Sequence, residues 1–115
     1  MPRHCLVLDL KDDPELIARY RQWHAPGGPP AAVIAALRAS GVEAMEIHLS
    51  GDRLFMILET GPGFSFEAKA AADAANPDVQ AWEALMDGFQ QPVPWARPGE
   101  KWTPAERVFS LSEQP

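Results

Sequence analysis

The alternation of apolar and polar residues predicts four strands. Alternating residues over 42–59, divided by the turn-forming sequence Ser50-Gly51-Asp52, predict a β-hairpin. An apolar run over 4–11, with leucine at every second position from Leu6, predicts a first strand. A shorter run over 107–111 predicts a last strand.

Helical periodicity and start signals predict two helices before the hairpin and two after it. Asp13, Ser65 and Asn76 each precede a helical segment, and these side chains are favoured as N-terminal caps. Proline at the first helical position and glycine after the last turn mark further boundaries. The predicted helices cover 14–24, 30–40, 66–75 and 77–90.

The order of these elements predicts an α+β fold of the ferredoxin-like type, with one antiparallel sheet and helices on one face. At 115 residues the chain has the length of one domain, residues 1–115. We expect the helices to cover the strand face that carries Met45. The opposite face, with Glu46 and His48, is free to pack on a second copy, which predicts a homodimer of the dimeric α/β barrel type.

Charge and composition narrow the possible partners. With 16 acidic and 10 basic residues the formal net charge is −6, so nucleic acid is not an expected partner. No apolar stretch is long enough to span a bilayer, so no membrane partner is expected and the protein is predicted to be soluble. The single Cys5 lies in an apolar run, where a small buried side chain is expected, and it favours a reducing, cytoplasmic location. Prolines concentrated at 26–30 and 92–104 predict two structured loops.

The first helix carries a candidate catalytic pair. Tyr20 and His24 are four residues apart, so they share one helical face, directly before the chain-bending sequence Pro26-Gly27-Gly28. Imidazole titrates near neutral pH, whereas a phenol with a pKa of about 10 donates a hydrogen bond, and together they suit acid–base chemistry on hydroxyl groups. Alternatively, Tyr20 is an ordinary boundary residue and the helix dipole favours His24 at its C-terminal end.

Other polar and aromatic candidates are less specific. Trp82 lies on the apolar stripe of the last helix, where it either stacks on a sugar or fills the core. Glu83, Glu46, His48 and Asp9 are further polar candidates, but each is more often a solvated or paired group than a functional one. The sequence has no zinc-ligand spacing, phosphate-binding loop, dinucleotide fingerprint or nucleophile elbow, so we expect no metal and no other cofactor.

Five segments carry a resemblance to a known family. They read LVLDLK, Tyr20-x-x-x-His24-x-Pro26, EAMEIHLSGDRLFMILE, DVQAWEALM and ERVFSL, and over about residues 3–112 they resemble the L-rhamnose mutarotases. The resemblance implies a cofactor-free dimer that interconverts the α and β anomers of a 6-deoxy-L-hexose. It also implies His24 as the proton donor and Tyr20 as a sugar-binding residue.

The resemblance is incomplete at the implied sugar-binding positions. Met45 stands where the rhamnose enzymes have a tyrosine, and Trp82-Glu83 stands where they have two tryptophans. The segments FSFEAKAAADAANP and PVPWARPGEKW resemble an L-fucose mutarotase branch. The resemblance to that branch implies L-fucose as the expected substrate, with L-rhamnose next. These sugars differ in configuration at C2 and C4, so altered hydroxyl contacts are expected between enzymes that act on them.

Two questions stay open at this point. We expect the pocket between helices and sheet, with Met45 at its floor and Tyr20, His24 and Trp82 at its walls. The alternative is a cavity between two copies, lined by Glu46 and His48. The same fold also serves small-ligand-binding dimers without catalytic activity and cofactor-free monooxygenases, which are the competing functions.

Overall fold

The structure is a computed structural model that describes residues 2–115. Its strands are β1 (Arg3–Leu10), β2 (Val42–Ser50), β3 (Arg53–Thr60), β4 (Gln90–Gln91) and β5 (Thr103–Pro104). Its helices are α1 (Pro14–Trp23), α2 (Ala31–Ala39), α3 (Phe66–Ala74) and α4 (Pro77–Asp87), followed by a short 3-10 turn, Leu111–Glu113. Within the described chain no helix is both long enough and apolar enough to cross a membrane.

Helices α1, α3 and α4 begin at the predicted capping residues. The Asp13 side chain accepts hydrogen bonds from the backbone N–H groups of Glu15 and Leu16, at 2.9 and 3.1 Å. Asn76 caps α4 in the same way, and Ser65 accepts from one backbone N–H of α3. These bonds satisfy backbone donors that have no partner within the helix, so the starts of three helices follow from local sequence.

The sheet has the antiparallel order β2-β3-β1-β4, with β5 also paired to β1. This is the strand order of the ferredoxin-like fold, as predicted. In the observed register Met56 lies beside both Leu6 and Ile47, so these three side chains form one row on the same face. That face is the one covered by the helices.

The core occupies one end of the covered face. Five buried residues form it: Leu10, Tyr20, Leu54, Met86 and Phe89. They bring α1 and α4 against the ends of β1 and β3, and the partly buried Leu16 and Ile17 pack against them from α1. This cluster fills one end of the space between the helices and the sheet, and a cavity lies beside it.

The opposite face of the sheet is covered only where Val7 and Asp9 lie, since both are buried, and the rest of it is open. Cys5, Phe55 and Ile57 point to this face from β1 and β3, and Cys5 is exposed. The expectation that Cys5 is buried was therefore wrong. An apolar run predicts burial of both strand faces, but here the helices cover only one of them. We call this uncovered surface the bare face.

The C-terminal segment corrects the predicted last strand. Residues 107–111 form no strand, and Val108, Phe109 and Leu111 are 87%, 63% and 77% exposed. The fourth strand is instead Gln90–Gln91, and the sequence pattern had assigned Gln90 to the end of the last helix. Since β4 and β5 together pair with residues 6–10 of β1, most of that edge is already occupied when the chain reaches 107.

Candidate active site

A cavity of about 640 Å³ lies between the helices and the covered face of the sheet. Apolar strand residues line its sheet side: Leu6, Met45, Ile47, Met56 and Leu58. Tyr20 and His24 reach it from α1 and the residue that follows, and Trp82 and Glu83 reach it from α4. Cavities of this size, mostly apolar with a few converging polar groups, are typical of small-ligand sites.

His24 is held at the end of α1 by its own backbone and ring. Its N–H donates to the carbonyl of Arg21 at 3.3 Å, which makes it the C-terminal cap of the helix. Its ring Nδ1 lies 2.7 Å from the carbonyl oxygen of Tyr20. A carbonyl oxygen only accepts hydrogen bonds, so Nδ1 carries a proton in this contact. In the neutral ring the lone pair is then on Nε2, which is free to accept a proton.

The bend after His24 depends on two glycines. Gly27 has φ of 80°, a backbone conformation that L side chains rarely adopt. A Cβ atom on Gly28 would lie 2.4 Å from the carbonyl oxygen of Trp23, so no larger residue fits against the end of α1. The Gly28 N–H donates to the carbonyl of Ala25 at 2.8 Å. This tight turn explains why the chain bends directly after the candidate pair, and it keeps His24 at the helix end.

An aromatic cluster surrounds the His24 ring. Tyr20 stacks on it with a centroid distance of 4.0 Å, and Trp82 meets it edge-on at 5.4 Å. Trp23 packs edge-on against Trp82 from outside, at 5.9 Å. Neighbours of this kind restrict the rotamers of the imidazole and remove much of its water. The ring is therefore both oriented and partly desolvated.

Burial sets the protonation of the pair. It lowers the pKa of His24 below its ordinary 6.5, and the hydrogen bond to the Tyr20 carbonyl opposes part of that shift. It also raises the pKa of the Tyr20 phenol to about 12, while the nearby Gln90 side chain acts in the opposite direction. At neutral pH the cavity therefore holds a neutral imidazole, able to accept a proton, beside a protonated phenol, able to donate a hydrogen bond.

Two polar atoms in the cavity wall are buried without a partner. Neither the Tyr20 hydroxyl nor Oε1 of Gln90 has a hydrogen-bond partner among residues 2–115. The Gln90 amide is near enough to lower the pKa of the phenol, but the geometry between them is not that of a hydrogen bond. Buried polar groups in native proteins nearly always have partners, so this pair is unusual.

The remaining polar candidates lie on the bare face. Glu46 and His48 are exposed there, and Nε2 of His48 lies 2.9 Å from Oε1 of Glu46, within hydrogen-bond distance. The buried Asp9 accepts two hydrogen bonds from Arg53, at 2.7 and 3.1 Å, and the guanidinium lies over the ring of Trp95. Asp9 is therefore a satisfied structural group, and none of these residues reaches the cavity of this chain.

Several cavity residues were missed by sequence reasoning. They are Lys69 and Asp73, which pair along α3, together with Gln90, Glu100 and Trp102. Gln90 was assigned to the end of a helix, and Lys69 and Asp73 gave no signal within the predicted helix over 66–75. Glu100 and Trp102 gave none beyond the proline- and tryptophan-rich composition of the second loop. Within residues 2–115 no three His, Cys, Asp or Glu side chains lie close enough together to hold a metal ion.

Comparison with known proteins decides the family. A model of the L-rhamnose mutarotase family matches residues 3–111, nearly the whole chain. The chain belongs to this family. It is therefore an isomerase of the mutarotase type, and the resemblance seen in the sequence is confirmed.

Two relatives and one solved structure are similar to this chain. An L-fucose mutarotase of Xanthomonas campestris pv. campestris is 50% identical over 113 residues, which cover 98% of this chain and 90% of that protein. A protein of Dictyostelium discoideum is 33% identical over 112 residues, covering 91% and 86% of the two chains. The crystal structure of an L-rhamnose mutarotase from Formosa agariphila aligns with a TM-score of 0.69 over 96% of this chain and 99% of that one. At 18% identity that likeness shows the shared fold alone.

In this mutarotase, Met45 and Glu83, the two residues that the resemblance marked as different at implied sugar-binding positions, line the cavity. Met45 adds an apolar side chain to the sheet side, and Glu83 adds a carboxylate beside Trp82. The structure thus brings Tyr20, His24, Met45, Trp82 and Glu83 to one volume. Their roles remain predictions, which are developed below.

Proposed function

We propose that this enzyme interconverts the α and β anomers of a 6-deoxy-L-hexose, with L-fucose first and L-rhamnose next. The observation that carries the proposal is the neutral imidazole of His24 stacked on the protonated phenol of Tyr20 in one cavity. The L-fucose mutarotase at 50% identity supports the choice of sugar. Trp82 offers an indole surface on which the C–H face of a sugar ring can stack.

The chemistry requires one proton to move between two oxygens on the same carbon. Nε2 of His24 takes the proton of the anomeric hydroxyl as the bond from C1 to the ring oxygen breaks. The resulting imidazolium gives that proton to the ring oxygen, which leaves the open-chain aldehyde. After rotation about the C1–C2 bond, the same two transfers in reverse close the ring on the other face. His24 is thus proton acceptor and proton donor in turn, which includes the donor role that the family resemblance implies.

Tyr20 supports the transfer without losing its own proton. A phenol with a pKa of about 12 stays protonated throughout the neutral range, so its hydroxyl can donate a hydrogen bond to the sugar oxygen that becomes negative. The stacked arrangement keeps this donor beside the imidazole that moves the proton. Such placed acid–base groups typically accelerate a reaction by about 10²–10⁴-fold.

Anomer exchange measured by NMR saturation transfer tests the proposal. We expect the protein to accelerate exchange of L-fucose over a protein-free sample at each pH. The catalysed rate should fall as pH drops through the pKa of His24, which lies below 6.5, because protonation removes the free lone pair of Nε2. Exchange no faster than in buffer for any 6-deoxy-L-hexose would refute the proposed function.

We also propose a homodimer, formed through the bare face. Its centre is apolar, with Cys5, Phe55 and Ile57, and its edges carry ion pairs such as Arg3 with Glu59 at 3.1 Å. An apolar centre with a polar rim is typical of protein interfaces, and packing two such sheets together produces a dimeric α/β barrel. The exposed apolar residues of 108–111 add a second surface that a partner can cover.

Light scattering at tens of micromolar protein should therefore give the mass of a dimer. The expected interface buries roughly 1,200–2,000 Å² or more, the usual range for stable interfaces. Ile57→Glu places a carboxylate in the apolar centre and should give monomers, whereas Ala84→Glu, on the exposed surface of α4, should leave the dimer intact. The Cys5 thiol should react slowly with a thiol reagent in the dimer and quickly in the Ile57→Glu variant. A monomeric wild-type protein with a rapidly reacting Cys5 would rule the dimer out.

A further inference from the structure

Gln90 is an unexpected residue in the lining of the cavity. Its exposed fraction is 9%, yet Oε1 has no hydrogen-bond partner among the described residues. The neighbouring Tyr20 hydroxyl is equally buried and equally unpartnered. Tyr20 packs in the core cluster with the apolar side chains of Met86 and Phe89. Two unpaired polar groups side by side in such surroundings point to a ligand that pairs with both.

The backbone holds the Gln90 side chain in this position. Gln90 lies in β4, directly beside Leu10 of β1. The N–H of Lys11 donates to the carbonyl of Phe89 at 2.8 Å, which fixes the chain immediately before it. The amide is therefore presented from a strand of the sheet rather than from a free loop. A rigidly presented amide is suited to discriminate between ligands. A mobile amide could turn away from a ligand that does not match it, so the difference in binding free energy between the two ligands would be small.

The chemistry of the amide identifies the group that it recognises. A side-chain amide accepts hydrogen bonds at its oxygen and donates them at its nitrogen, so in either orientation it can bind a hydroxyl group. In the proposed function, Tyr20 hydrogen bonds at the reacting centre, which is C1 and the ring oxygen. The two carbons next to that centre are C5, which bears the methyl group, and C2, which bears a hydroxyl. Of these two neighbours, only C2 offers a hydroxyl group to a polar partner beside Tyr20.

We propose that Gln90 is a specificity-determining residue that binds the C2 hydroxyl of the sugar, beside the Tyr20 phenol. This inference rests on the proposed function and adds the hydroxyl that is recognised and the residue that recognises it. L-Fucose and L-rhamnose have opposite configurations at C2, so Gln90 contributes to the choice between them. Losing one such hydrogen bond is expected to weaken apparent affinity about tenfold.

Kinetics on two sugars that differ only at C2 test the proposal. Wild-type enzyme should show a KM about tenfold higher for 2-deoxy-L-fucose than for L-fucose. Gln90→Met, which keeps the length of the side chain and removes the amide, should raise the KM for L-fucose to the value for the 2-deoxy sugar. The KM for the 2-deoxy sugar should not change. If Gln90 had only a structural role, its substitution would change the KM values for both sugars by the same factor or would change neither.

Two further variants complete the experiment. Gln91→Met is the matched control, because Gln91 is exposed, does not line this cavity and donates instead to the carbonyl of Leu10 at 3.3 Å. It should keep the wild-type KM for both sugars. Gln90→Asn withdraws the amide by one methylene group and should reduce the preference for the C2 hydroxyl in the same way as Gln90→Met. It serves as the test if the methionine variant does not fold.

Thermal unfolding provides an independent readout. Gln90→Met removes a buried carbonyl that has no partner in the free protein, so its Tm should equal or exceed that of the wild type. A smaller ratio between the KM values of the two sugars in Gln90→Met, together with an undiminished Tm, would show that the substitution affects ligand recognition and not folding. If the wild type accelerates anomer exchange but Gln90→Met treats both sugars as the wild type does, the role of Gln90 is wrong and the proposed function stands. If the wild type accelerates neither sugar, the proposed function itself has failed.

Discussion

Replacing His24 with alanine is expected to reduce catalysed anomer exchange by about 10²–10⁴-fold, to a rate close to that in buffer. The reason is that Nε2 is the only imidazole nitrogen at the cavity with a free lone pair, since Nδ1 is bonded to the Tyr20 carbonyl. The measurement is NMR saturation transfer on L-fucose with equal amounts of wild type and variant. Circular dichroism should show that the variant remains folded, because His24 lies at the end of α1 and is only half-buried.

His48→Ala is the matched control for this experiment. His48 is also an imidazole, but it lies exposed on the bare face and pairs with Glu46 at 2.9 Å. Its removal should leave the exchange rate close to that of the wild type. Wild-type exchange in His24→Ala would exclude His24 as the proton carrier. Loss of exchange in His48→Ala would instead move the site to a cavity between two copies.

The second large effect concerns the choice of sugar. We expect L-fucose to exchange faster than L-rhamnose by about tenfold to a hundredfold, which corresponds to about 1.5–3 kcal/mol for one charge-assisted hydrogen bond. Glu83 is exposed in the free protein, so this effect requires the bound sugar to shield the carboxylate from water. The Glu83 carboxylate, which lines the cavity beside Trp82, can accept hydrogen bonds from two sugar hydroxyls at once. An indole at the same position offers one donor and an apolar surface. Glu83→Gln should therefore narrow the preference for L-fucose.

Glu67→Gln provides the control for the Glu83 substitution. Glu67 is exposed in the first turn of α3 and does not line the cavity, so the same chemical change there should leave the ratio of the two rates unaltered. Both rates are measured under identical conditions for the wild type and the two variants. L-Rhamnose exchanging as fast as L-fucose, or faster, in the wild type would show that Glu83 and Met45 do not encode this preference.

The sequence by itself determined those features that depend on neighbours close in the chain. The predicted helix over 14–24 is observed as Pro14–Trp23. Its start follows from two adjacent residues, because Asp13 caps the helix and Pro14 occupies its first position. The hairpin over 42–59 follows from alternation around a short turn. The stacking of Tyr20 on His24 follows from the helical repeat, which places residues four apart on one face.

Tertiary structure alone decided which distant segments meet and which groups lose water. Gln90 reaches the cavity only because β4 pairs with the end of β1, and no local pattern distinguishes that pairing from one more turn of helix. Cys5 is exposed because the helices cover the other face of the sheet. Residues 107–111 form no strand because β4 and β5 already pair with that edge of β1. The lowered pKa of His24 likewise depends on Trp82, contributed by a helix far along the chain. Pairing and desolvation are competitions among all segments of the chain, whereas capping and periodicity act within a few residues.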